Sequence, residues 1–412
     1  MENETATMKK GLQYWQQIII ILCLGWVVIW IYRSVLTPIF PEIQQTIGQH
    51  SDAQMGLIAS FYFFAYTGMQ IPAGILVDKF GKKVVLIPGF SLFAIAALVI
   101  GTAQNLEMIY LGSLLAGLGC GSYYGAAYSL SSENIPAEKR GLSTAIINSG
   151  SALGMGIGLI ASSLLVKSVG MNWQIMLFII AGLIVVMIFV FASVIKSSPK
   201  VDRSAVAKEK AAPKEKAPIK NLFTGRMIAS YILYFATCYG YYMVVTWLPS
   251  FLQQERGFQG VAIGFSAALV AFSAIPGALF FSRMSDIFRT KKVRFIVGLT
   301  VAAAAMLMLT VLAPTSGILL VGLILYGLLG KLAVEPILIS YVADSAPKKG
   351  YGTSFGVFNF FGMSSSVIAP FLTGVISDST GSKVMGFYIS AIILVIGAVV
   401  FLIANIKSKK IA

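Results

Sequence analysis

Gly74-Ile75-Leu76-Val77-Asp78-Lys79-Phe80-Gly81-Lys82-Lys83 ends a long apolar run in an acid, three lysines and a glycine. It reads as a short polar turn between two membrane helices. A worn second version, Ser282-Arg283-Met284-Ser285-Asp286-Ile287-Phe288-Arg289-Thr290-Lys291-Lys292, keeps the acid, the Phe two residues on and the closing bases. The two acids stand 208 positions apart, about half of the 412-residue chain, which predicts a duplicated membrane protein.

Around these turns the chain is 57% hydrophobic and 11% charged, with a mean hydropathy of +0.83. That leaves too little polar surface to coat a soluble globule. Apolar runs of about 20 residues recur, the length a helix needs to cross roughly 30 Å of hydrocarbon, whereas barrel strands would alternate over about 10 residues. The pattern predicts an all-α membrane protein with twelve transmembrane helices at 16–37, 54–77, 84–103, 107–131, 141–165, 172–195, 223–252, 260–283, 294–313, 316–343, 352–377 and 383–406. They fall into two six-helix bundles, residues 1–195 and 223–412, joined by a basic linker at 196–222.

A second internal match supports the duplication. Glu133-Asn134-Ile135-Pro136, with Gly141 and Asn148 after it, repeats at an offset of 211 as Asp344-Ser345-Ala346-Pro347, with Gly352 and Asn359. Two loops sharing nearly one offset are what pseudo-symmetric parallel repeats require.

The net charge of +15 follows topology and not a nucleic-acid face. With both termini in the cytoplasm, 26 of the 31 Lys and Arg lie on that side, against Lys167, Arg256 and Lys383 outside and two within spans. The positive-inside rule then orients a multi-pass protein of the cell membrane. The first apolar segment lacks a small-residue cleavage site and reads as a retained helix. The linker, rich in lysine, alanine and proline, would lie against anionic inner-leaflet lipid, with a regulatory tail as its alternative role. Cys23, Cys120 and Cys238 sit singly in apolar runs, His50 is the one histidine, and no nucleotide, hydrolase or metalloprotease motif occurs. No enzyme, metal or cofactor is expected, and a monomer is.

An ionisable group in hydrocarbon costs at least a few kcal/mol, so each is a candidate functional residue. Three lie well inside spans, away from their ends. Lys331 and Glu335, in the tenth, are four apart and share a face. They are either a self-neutralising structural pair or an anion ligand and a proton acceptor that exchange partners. By the repeat they stand opposite Cys120 and Tyr124, so the pair exists in one half only. Arg33, in the outer half of the first span, either snorkels to the interface or offers its bidentate fork to a carboxylate or sulfonate. Tyr62, Tyr66, Tyr123, Tyr124, Tyr128, Tyr239, Tyr241, Tyr242, Trp247 and Asn359 are candidates to line a cavity, Tyr66, Tyr124 and Asn359 foremost. Most aromatics in such a chain only pack.

The segment from Gly74 to Lys83 matches the loop signature of the major facilitator superfamily at each defined position, and the chain resembles that superfamily over nearly its whole length. The resemblance implies two bundles rocking about a central cavity, with Asp78, Lys79, Gly81, Lys82, Lys83 and Asp286 as a conformational gate. Tyr32-Arg33-Ser34, Tyr66-Thr67-Gly68-Met69-Gln70-Ile71-Pro72, and Thr246-Trp247-Leu248-Pro249 followed by Gln254-Glu255-Arg256-Gly257 are similar to its anion:cation symporter family. That resemblance implies transport of organic anions with protons or sodium, with Arg33 and Tyr66 at the substrate. The chain departs in having Tyr32 where members carry an Asp, and Cys120 where they often carry a proton-coupling acid. Glu335 is then the candidate for coupling.

The expectation is a secondary transporter importing a small organic anion with protons, held by Arg33, Tyr66, Tyr124, Lys331 and Asn359. Its rivals are an exporter of amphipathic drugs or metabolites, and a receptor on a transporter fold. Drug/proton antiporters usually carry a Gly-Pro in the fifth helix, and no proline occurs here between Pro136 and Pro199.

Overall fold

The computed structural model describes residues 12–136, 139–196, 222–345 and 351–409. Most of the 196–222 linker, and the Pro347 loop of the second repeat match, lie outside the described residues. Twelve helical spans follow one another. The first half holds α1 (Tyr14–Val35), α2 (Asp52–Phe80), α3 (Lys82–Gly101), α4 (Leu106–Asn134), α5 (Arg140–Ser162) and α6 (Trp173–Val194). The second holds α7 (Gly225–Gln254), α8 (Val261–Ile287), α9 (Lys292–Leu312), α10a (Ser316–Leu329) with α10b (Lys331–Ser345), α11 (Tyr351–Thr380) and α12 (Val384–Lys409). Ten of the spans are long and apolar enough to cross a membrane by composition alone. The others, α2 and α4, carry serine, glycine and tyrosine among their apolar residues.

Local chemistry sets the ends. Ser51 and Gln54 form a capping box at the start of α2, and Asn105 and Thr315 cap α4 and α10a. Gly81, at φ 91°, closes α2 and opens α3 in one step, which accounts for glycine in the quoted turn.

Packing repeats between halves: α1 lies on α5, α2 on α4, and α3 on α4 and α6, and their counterparts α7 on α11, α8 on α10a and α10b, and α9 on α10a and α12. The two bundles meet where α2 packs on α11 and α5 on α8, themselves a symmetry-related pair. The twofold extends to ion pairs. Lys82 pairs with Glu133, and Lys292 with Asp344 at 2.6 Å. Lys83 donates to the Ala192 carbonyl at 2.5 Å, so Lys82 and Lys83 of the quoted turn brace their own half. Asp78 is exposed at the end of α2 beside Lys79, whose ammonium lies 5.0 Å from the Phe80 ring. Asp286 belongs to α8, and its side chain is outside the described ones.

The tenth span differs from the unbroken helix its hydropathy predicts. Gly330, at φ −78° and ψ −149°, ends α10a, and its carbonyl accepts from Ala333 and Val334 to start α10b. A Cβ at Gly330 would lie 2.5 Å from the Tyr326 carbonyl, so only glycine fits. Lys331 therefore begins a half-helix instead of sitting mid-helix.

The halves are sealed at the end opposite Gly81. Asp378 on α11 accepts from the backbone N–H groups of Asp52 at 2.7 Å and Ala53 at 2.9 Å, capping α2 across the interface. Lys383 bridges Asp52 at 2.8 Å and Gln254 at 2.7 Å, and Lys167 bridges Glu42 at 2.7 Å and Gln253 at 2.8 Å. Deeper in, Ser60 of α2 donates to the Val367 carbonyl of α11 at 2.7 Å. On the other seam α5 and α8 approach so closely that a Cβ on Gly264 would collide with the Leu159 carbonyl.

Candidate functional site

Trp26, Trp30 and Arg33 recur at i, i+4 and i+7 and so share one face of α1. Long helical side chains lean toward the N-terminus, which folds Arg33 back over the two indoles. Tyr62 and Tyr66, one turn apart on α2, meet it with their rings stacked 6.1 Å apart and 10° from parallel. The guanidinium carbon lies 4.4 Å from the Tyr66 ring centroid, 4.8 Å from Trp30, 4.9 Å from Tyr62, 5.4 Å from Phe63 and 5.9 Å from Trp26. Its Nε donates to the Tyr62 hydroxyl at 2.6 Å. Among the described residues no carboxylate pairs with it, and its buried Nη2 has no protein acceptor.

Such a cation is held by ring faces, each worth about 0.5–2 kcal/mol, and not by a counter-ion. It keeps its full charge. Tyr32, where the resemblance expects an acid, is buried edge-on against Phe93 at 4.8 Å and borders Tyr62 at 6.1 Å. Cys120, where the resembled family often carries an acid, is fully buried close to Tyr62.

Across the interface, Lys331 Nζ and Glu335 Oε2 are 2.7 Å apart on the first turn of α10b. Tyr234 of α7 donates to Glu335 Oε1 at 2.5 Å, and its ring stacks on Phe358 at 4.2 Å. Lys331 also lies over Tyr241, 5.4 Å from the centroid. The two cationic centres meet through aromatic contacts between the halves, Trp30 against Tyr241 at 6.4 Å and Phe63 against Tyr242 at 4.6 Å. Tyr241 and Tyr242 are within electrostatic range of both Arg33 and Lys331.

The other expected residues divide. Tyr124 is 40% exposed, pairs with Tyr128 at 4.5 Å, and both lie within electrostatic range of Glu335. Asn359 Nδ2 donates to Gln70 Oε1 at 3.2 Å, joining α11 to α2. Trp247, Tyr239 and Tyr123 are packing residues: all are fully buried, and Trp247 donates to the Pro370 carbonyl at 2.9 Å. Sequence reasoning missed Trp26, Trp30, Phe63 and Tyr234. The spacing of the two tryptophans from Arg33 was the available signal. Among the described residues no three His, Cys, Asp or Glu come together as a metal site would need.

Residues 22–370 match the family model of the Major Facilitator Superfamily. The chain belongs to this superfamily. Membership makes it a transporter rather than an enzyme, built on the superfamily's twelve-helix fold. Among its relatives it is 25% identical to the probable sulfoacetate transporter SauU of Cupriavidus necator, over 97% of this chain and 95% of that one. It is 28% identical to the probable galactarate/D-glucarate transporter GudP of Bacillus subtilis, over 85% and 83%. A bacterial homolog to the human lysosomal transporter Spinster, in an inward-facing and occupied conformation, shares the fold at a TM-score of 0.77 and 13% identity, with 96% and 98% of the chains covered.

Proposed function

We propose that this superfamily member carries a small organic anion of carboxylate or sulfonate type across the cell membrane by alternating access, driven inward by protons. The observation that carries the reading is Arg33: a buried guanidinium in an aromatic chamber with no carboxylate partner. A fork of N–H donors is the group suited to clamp a planar oxoanion. Relatives named for sulfoacetate and for galactarate or D-glucarate support the same chemistry. The Gly81 turn is cytoplasmic by the positive-inside rule, so the sealed end is external and the described state faces inward.

Glu335 is the proposed proton site. Protonating it removes the partner that neutralises Lys331, leaving that cation free for the substrate side of the cavity. Tyr66, Tyr124 and Asn359 complete the proposed binding wall, and the Gly74–Lys83 segment with Asp286 forms the gate that closes the cytoplasmic end. The helices at 1–195 and 223–412 act as the two rocking units around the 196–222 linker.

Uptake of radiolabelled sulfoacetate, galactarate and D-glucarate into proteoliposomes tests the reading. Saturable uptake that follows an imposed inward proton gradient and is lost in Arg33→Ala is expected. Arg33→Lys should retain a small fraction, since an ammonium keeps the charge but not the fork. Wild-type rates from Arg33→Ala would overturn it.

A further inference from the structure

The α1 face holds a second donor of the same kind. Trp26 is 7% exposed, and its indole Nε1–H is buried with no acceptor from the protein. Its ring lies 5.9 Å from the Arg33 guanidinium carbon, whose Nη2 is likewise without an acceptor. A buried donor without a partner costs about 1–3 kcal/mol, so two of them in one chamber mark a place for an acceptor from outside the chain. Packing does not explain the indole nitrogen. Trp26 meets Tyr123 at 5.1 Å and Tyr124 at 6.5 Å through ring edges, contacts a phenyl ring would also make.

We infer that Trp26 Nε1–H is a specificity-determining donor that, with Arg33 Nη2–H, holds the oxygens of the substrate's anionic head. The assignment rests on the proposed anion transport and sharpens it. Indole and guanidinium N–H groups only donate, so this corner accepts oxygens and repels a substrate ammonium. Across the interface between the halves, Glu335, the acid of the pair, is already bound by Lys331 and Tyr234. The substrate class is therefore a carboxylate or sulfonate without an amino group: ethanesulfonate over taurine, propionate over β-alanine.

Ligand-induced thermal stabilisation of the purified full-length protein by these four compounds, galactarate and D-glucarate measures affinity without requiring transport. Trp26→Phe should fold and weaken the best-bound anion by about tenfold, the loss of one hydrogen bond to a charged acceptor. Proteoliposome uptake of that anion should show a raised KM with an unchanged maximal rate. If Trp26→Phe does not fold, a benzothienyl analogue of tryptophan at position 26, which replaces the N–H by sulfur, should show the same loss. Wild-type affinity in the folded variant overturns the assignment of Trp26 and leaves the anion reading standing. Binding of taurine or β-alanine as strong as that of their amine-free partners overturns the substrate class. If no anion in the panel stabilises the wild type, the proposed function falls as well.

Discussion

Lys331 and Glu335 are joined at 2.7 Å on the first turn of a half-helix that starts just past Gly330, with Tyr234 bonded to the other carboxylate oxygen. A pair so placed is neutral as a unit and is broken by one proton. Glu335→Gln should therefore leave uptake unresponsive to an imposed pH gradient, measured in proteoliposomes at constant membrane voltage.

Stability separates this pair from an ordinary buried one. Removing Lys331 alone (Lys331→Met) leaves a carboxylate without its cation and should lower the melting temperature clearly. The double change Lys331→Met with Glu335→Met should recover most of that loss, because replacing both members by apolar groups is often close to neutral. Differential scanning fluorimetry of both variants checks the order.

The external seal depends on Asp378, whose carboxylate caps α2 from the other half. An anion at a helix N-terminus is worth about 0.3–2 kcal/mol, enough to move a two-state balance severalfold. Asp378→Asn should favour the opposite conformer. With a reporter at Ser60→Cys, buried in the sealed state, labelling by a membrane-impermeant maleimide from outside should accelerate severalfold.

On the α5–α8 seam, Gly264→Leu places a side chain where the Leu159 carbonyl already sits. The sealed state becomes inaccessible, so net uptake should fall at least tenfold while anion binding, measured by thermal stabilisation, persists.

Glu133→Ala and Asp344→Ala remove the acids of the symmetric braces to Lys82 and Lys292. Both acids are more than half exposed, and pairs of this kind contribute no more than about 1 kcal/mol. Each substitution alone should move the melting temperature by only about a degree or two.

Much of the architecture was legible because it rests on period and repetition. Apolar runs gave the spans, and the Asp78 and Asp286 turns gave the duplication. Arg33, Lys331 and Glu335 stood out because charge is rare in hydrocarbon. What escaped depends on tertiary geometry. Nothing in Leu329-Gly330-Lys331 distinguishes a helix break from a tolerated glycine. Tyr234 is one tyrosine among many until α7 is set beside α10b. The capping of α2 by Asp378 joins residues more than 300 positions apart, which no local pattern records. Tyrosines at 123 and 239 looked like cavity residues by type, and only their place in the packed core, with the Tyr123 hydroxyl donating to the Leu22 carbonyl, separates them from Tyr124.

The unequal neutralisation of the two cations has an electrical consequence. Lys331 and Glu335 cancel, and Arg33 has no carboxylate partner among the described residues, so the empty core carries one net positive charge, and a dianion bound together with the proton on Glu335 brings it to zero. A charge moved across the full membrane field feels about 2.3 kcal/mol per 100 mV. The loaded carrier then reorients almost blind to voltage, and the empty one, returning for its next passenger, is the step that the resting potential sets.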